Sequence, residues 1–116
     1  MKADEATRKA VNEVLARMAE AMAAKDINAF IKLFSKDPNI LTITPEEEGM
    51  YIGPTQLKEG MEKTFNEAES LSLKYGWTSI RANGPVAWVS SHVYYNIKKK
   101  GKQEVSLSAR MTGVLE

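Results

Sequence analysis

Cysteine is absent from the chain, which excludes disulfides, thiolate metal sites and a cysteine nucleophile without fixing a compartment. Histidine occurs once, as His92, so a single side chain has an ordinary pKa near neutrality. No apolar run approaches the ~18 residues a membrane span needs, and no early apolar segment has the form of a signal peptide. A cytoplasmic location with no membrane partner is therefore expected. Charge of one sign is also lacking: the net charge is +1, so no global field recruits nucleic acid, and no nucleic-acid partner is expected. There is no Walker loop, dinucleotide glycine motif or nucleophile elbow, and no cofactor is expected. Glu46-Glu47-Glu48 brings carboxylates close together, but without a histidine or a further acid it reads as a solvated turn, and no metal is expected.

What remains is ordinary globular material, 43% apolar and 27% charged over 116 residues, enough for a single domain spanning 1–116. Asp4 or Thr7 can cap a first helix running to about Lys25, with Val11, Val14, Leu15, Met18 and Met22 forming one apolar stripe. Asp26 suits the N-cap of a short second helix, Ile27 to Phe34, which Asp37-Pro38-Asn39 ends. A strand Ile40–Thr44, an acidic turn and a return Met50–Ile52 follow. Gly53-Pro54 opens a third helix whose buried face is Leu57, Met61 and Phe65. A strand from about Leu71 to Ala82 turns at Asn83-Gly84-Pro85 into the dominant feature, a long hairpin from Pro85 to Leu115. Helices followed by a run of antiparallel strands is an α+β plan.

Polarity sets the facing of that hairpin. Trp88, Ser90, His92, Tyr94 and Asn96 alternate with Val89, Ser91, Val93, Tyr95 and Ile97; Glu104, Ser106, Ser108, Arg110 and Thr112 alternate with Val105, Leu107, Ala109 and Met111. A loop of Lys99-Lys100-Gly101 would set His92 opposite Ser108 and Ser90 opposite Arg110, keeping the polar-aromatic set on one face. His92 could then act as a general base beside Ser108 and Arg110, or be a satisfied sheet histidine. Arg110 would suit a carboxylate ligand, or else a salt bridge to a helix. Trp88 and Tyr94 could be pocket wall or the centre of a dimer contact.

The landmarks Ala24-Lys25-Asp26 before Ile27-Asn28-Ala29-Phe30, Leu33-Phe34, Tyr51-Ile52-Gly53 before Gln56-Leu57, Gly84-Pro85-Val86-Ala87-Trp88-Val89 and Arg110-Met111-Thr112 follow one another across nearly the whole chain. In this order the chain resembles the nuclear-transport-factor-2-like superfamily, and within it the SnoaL-like proteins. The resemblance implies a cone: a curved, barrel-like antiparallel sheet wrapped on the N-terminal helices, a pocket at its open end, and a homodimer through the sheet. It adds Met18 and Thr42 as ligand-binding positions and supports Arg110; with Tyr51, Trp88 and Ser108, read from the strand faces, these form the expected ligand-binding set, and His92 is the candidate catalytic residue. Met18 and Thr42 stand where ketosteroid isomerases carry their tyrosine and aspartate, so isomerase activity is not expected. Family members continue after the arginine-threonine strand into one further strand, which this sequence lacks. Either the sequence is cut short, with Leu115-Glu116 a cloning remnant, or a partner supplies the strand.

Three functions compete on this footing. The first is a small-molecule binder with an apolar pocket and a carboxylate anchor at Arg110. The second is a SnoaL-like isomerase, lyase or hydrolase with His92 as base. The third is an oligomerisation module using the sheet face.

Overall fold

The computed structural model describes residues 2–45 and 49–116, so the Glu46-Glu47-Glu48 turn lies outside the described residues. Helix α1 (Glu5–Ala24) starts at Asp4, whose carboxylate accepts from the Thr7 N–H at 2.7 Å and is thereby held below the usual aspartate range. It ends at Lys25 in the left-handed conformation, with the Lys25 ammonium donating to the Ala68 carbonyl. Asp26 caps α2 (Ile27–Ile31) by accepting from the Ala29 N–H at 3.1 Å. That helix is shorter than the spacing suggests, because the chain leaves it in single turns over Leu33 and Phe34. Strands β1 (Leu41–Ile43) and β2 (Met50–Ile52) form a separate two-stranded sheet. Helix α3 (Gly53–Glu67) runs directly into β3 (Ala68–Asn83), followed by β4 (Val86–Lys99) and β5 (Val105–Leu115).

The large sheet is antiparallel in the order β3-β4-β5. Asn83 pairs with Val86, leaving a two-residue turn in which Gly84 takes φ +59, the first turn position that favours glycine. Strand β3 does not keep one phase. Tyr75 pairs with Val93 and Thr78 with Ser91, so Gly76 and Trp77 together oppose His92 as a β-bulge. Ahead of the bulge Leu71, Leu73 and Tyr75 point inward; beyond it Thr78, Ile80 and Ala82 do, while Trp77 is 67% exposed. Tyr75 and Trp77 thus fall on opposite faces although they lie two residues apart.

The β4–β5 register differs from expectation by two residues. His92 pairs with Arg110, Tyr94 with Ser108, Ser90 with Thr112 and Asn96 with Ser106. The tip closes by a bond from Lys102 N–H to the Lys99 carbonyl, so Gln103 and Glu104 stay out of the ladder and pairing begins at Ile97–Val105. A shift of two preserves every facing. The polar-aromatic set therefore stays together, but on the outer face of the sheet.

The inner face packs on the helices in two clusters. Val11 and Leu15 of α1 meet Ile80, Ala87 and Val89 near the Gly84 turn. Ala21, Met22, Phe30, Leu57, Met61 and Phe65 meet Leu71, Leu73 and Val93 at the other end. Helix α1 lies over β3, so the inner side of β5 is left open: Leu107 is 38% exposed, and Ala109 and Met111 are half-buried. Among the described residues the exposed large apolar side chains fall in three places: Val105 and Leu107 on this open side, Trp77, Tyr94 and Val114 on the outer face, and the small hairpin, where Leu41, Ile43, Met50 and Ile52 share a face. The architecture is thus N-terminal helices on a three-stranded antiparallel sheet that does not close. No helix among the described residues is long and apolar enough to cross a membrane.

Candidate functional site

The expected site residues divide between two surfaces. On the outer face, His92, Ser108 and Arg110 do come together, lining with Ala109 a shallow depression of about 460 Å³. The Trp77 ring lies 6.3 Å from the imidazole, and Trp88 sits further along the same face, opposite Val114. His92, Ser108 and Arg110 are all solvent-exposed. Among the described residues no carboxylate forms an ion pair with His92 or Arg110. His92 and Arg110 thus share the face away from the helices, and alternation along β4 and β5 gives the inner wall to Val93, Tyr95, Ala109 and Met111.

Met18, Thr42 and Tyr51 lie on the inner side, half-buried, with Met18 and Tyr51 packed against the larger core cluster. The Tyr51 ring lies over Gly60 of α3, where a Cβ would run into it. A second groove of about 480 Å³, between α2 and α3, is lined by Ile31, Pro54, Thr55, Lys58, Glu59 and Glu62. It gathers both signs of charge and none of the expected residues.

The inner wall holds what sequence reasoning did not single out, a tyrosine pair and a hydroxyl pair. Tyr75 donates to the Leu15 carbonyl of α1 at 2.7 Å, which ties the sheet to the helix. Burial pushes its phenol well above the usual tyrosine range, with the nearby Tyr95 adding to the rise. Burial raises the Tyr95 phenol as well. The Ser91 and Thr78 hydroxyls meet at 2.8 Å, and each also reaches a backbone carbonyl, of His92 and Gly76 respectively. Ser91, 3% exposed, is satisfied in this way. From Leu71 to Ala82 of β3, Ala87 to Ile97 of β4 and Val105 to Leu115 of β5 the inward positions are Leu, Tyr, Thr, Ile, Ala, Val, Ser, Met and Gly, and the first charge in that phase is Lys99 at the end of β4, opposite Ala68. The charged groups Lys74, Arg81, Lys98 and Arg110 face outward with His92, and Lys98 pairs there with Glu69. This partition lets the wall accept an apolar surface while phenols supply hydrogen bonds.

An open α+β half-cone with helices on its concave side is the architecture of the nuclear-transport-factor-2-like superfamily. Within it, the profile of the SnoaL-like domain family matches residues 11–116, and the chain belongs to that family. A search of curated proteins finds no match. Among solved structures, the chain is similar to a candidate aromatic ring hydroxylase from Novosphingobium aromaticivorans, at 15% identity and TM-score 0.87, over 97% of this chain and 80% of that one. It is similar also to a nuclear-transport-factor-2-like superfamily protein from Salmonella enterica serovar Typhimurium, at 19% identity and TM-score 0.85, over 97% and 80% of the two chains. A candidate dehydratase of the same superfamily from Streptomyces avermitilis aligns at 12% identity and TM-score 0.83, over 96% and 86%. These identities speak for the fold alone.

Proposed function

We propose that this SnoaL-like domain binds a small apolar molecule against the inner wall of its sheet, next to Met18, Tyr51, Tyr95, Ala109 and Met111. The observation carrying this reading is the absence of charge from the inward positions between Leu71 and Ala82, Ala87 and Ile97, and Val105 and Leu115, together with half-buried methionine and tyrosine where the helices leave the sheet uncovered. Methionine adapts to varied ligand shapes, and tyrosine combines apolar area with a polar tip. The candidate hydroxylase and dehydratase among the similar structures agree with a small organic ligand. Binding is favoured over turnover with His92 as base, because the imidazole is exposed on the opposite face from this wall and lacks a carboxylate partner among the described residues. Arg110 shares the outer face, so a carboxylate anchored there would lie outside the wall.

A thermal-shift screen of neutral steroid- and polyketide-like compounds alongside small acids tests the reading. Neutral compounds should stabilise the wild type, Met111→Arg should abolish the shift, and Arg110→Ala should leave it unchanged. If no compound stabilises the wild type more than Met111→Arg, the reading fails.

The outer face belongs to the same proposal as a contact with a second copy of the chain. Trp77 and Val114 are 67% and 72% exposed there, beside Trp88 and Tyr94, a concentration of aromatic side chains that marks interface centres.

A further inference from the structure

We propose that Tyr95 is the polar contact of the inner-wall ligand: its phenol donates to a neutral oxygen acceptor, a ketone or similar carbonyl, on an otherwise apolar molecule, and the wall rejects carboxylates. This rests on the binding reading above and names the chemistry of its ligand. The inward positions of β3, β4 and β5 carry four hydroxyls, and three are engaged within the protein. Tyr75 donates to the Leu15 carbonyl, while the Ser91 and Thr78 hydroxyls lie within hydrogen-bond reach of each other and of the His92 and Gly76 carbonyls, so both their protons have acceptors within the protein. Tyr95 Oη makes no hydrogen bond to any described residue. Its ring sits between Leu73, which is buried, and Leu107, which is 38% exposed, so it stands where the covered part of the wall meets the open part. A half-desolvated donor without a partner gains when a ligand brings an acceptor. Burial keeps this phenol protonated far above neutral pH, so it donates at any physiological pH. A carboxylate beside Tyr95 would meet no compensating cation on the sheet, because the inward positions from Leu71 to Ala82, Ala87 to Ile97 and Val105 to Leu115 are uncharged, Lys99 lying at the far end of β4, and an unpaired charge is penalised in such surroundings.

The test is an NMR titration of the whole chain with three probes of one shape: naphthalene, 2-acetylnaphthalene and 2-naphthoate. Signals of Tyr95, Ala109 and Met111 serve as reporters. The ketone should bind about 3- to 10-fold tighter than naphthalene, the size of one net hydrogen bond, and the naphthoate weaker than either. Tyr95→Phe should erase the ketone preference and leave naphthalene affinity unchanged. Tyr75→Phe, which removes a hydroxyl already bound to Leu15, should keep the preference and thus controls for general loosening of the wall. Naphthalene binding without a ketone preference overturns this inference while the binding reading stands. So does a preference that survives Tyr95→Phe, or a naphthoate that binds tightest. If none of the probes shifts the reporters, both fall.

Discussion

Tyr75 and Tyr95 differ in what their hydroxyls do, and the difference sets what each substitution should change. Tyr75 Oη closes a 2.7 Å bond to the Leu15 carbonyl, so Tyr75→Phe should lower stability by about 0.5–1.5 kcal/mol in urea unfolding. Burial raises both phenols above the ordinary tyrosine value of about 10. In the unfolded chain they lose their protons first as pH rises past that ordinary value, which favours the unfolded state. Their contribution is therefore complete below about pH 10 and lost as the pH climbs toward the raised folded values. The midpoint of urea unfolding should fall more steeply above pH 10 in the wild type than in the Tyr75→Phe/Tyr95→Phe double variant, and absorbance at the phenolate band should titrate later in folded than in unfolded protein. At this scale the sequence placed Tyr95 with the aliphatic set correctly. What remained hidden was that this set faces the helices, since alternation separates two faces without saying which one is covered.

Among the elements, α2 is the shortest helix and depends most on its cap. Asp26→Ala removes the acceptor of the Ala29 N–H and should cost about 1 kcal/mol, read as a lower thermal midpoint, with Asp26→Asn restoring most of it. The bulge in β3 holds one extra residue opposite His92. Deleting Trp77 leaves Gly76 alone against His92 and the rest of the strand in phase, so Leu71, Leu73 and Ile80 keep their inward facing and the cooperative urea-unfolding transition should persist. The helix caps at Asp4 and Asp26 were legible because they are local chemistry. The bulge left a weaker trace: inward residues fall on odd numbers from Leu71 to Tyr75 and on even numbers from Thr78, a break of phase centred on Gly76 and Trp77. The two-residue slip of β4 against β5 left none, because a turn closing at Lys99 and Lys102 instead of around Lys100 changes no facing.

For the whole molecule, the sheet order β3-β4-β5 makes β4 the one strand of the large sheet paired on both sides. Its amides should exchange with solvent slowest, close to the rate of global unfolding, while β5 amides pointing away from β4 exchange through local opening. Equal protection along both strands in a monomer would contradict this arrangement. The outer-face contact predicts a dimer by light scattering, and Trp77→Arg should shift the mass to a monomer without lowering secondary-structure content. A wild type that stays monomeric at high concentration would remove the outer face as a self-contact. Period, caps and turn residues determined the element order and the separation of polar from apolar strand faces, because those follow from interactions within a few residues. Which face the helices cover, which edge stays open, and therefore which residues share a surface were decided only in three dimensions. There α1 settled on β3, leaving the histidine and arginine outside and an uncharged wall of tyrosine and methionine within.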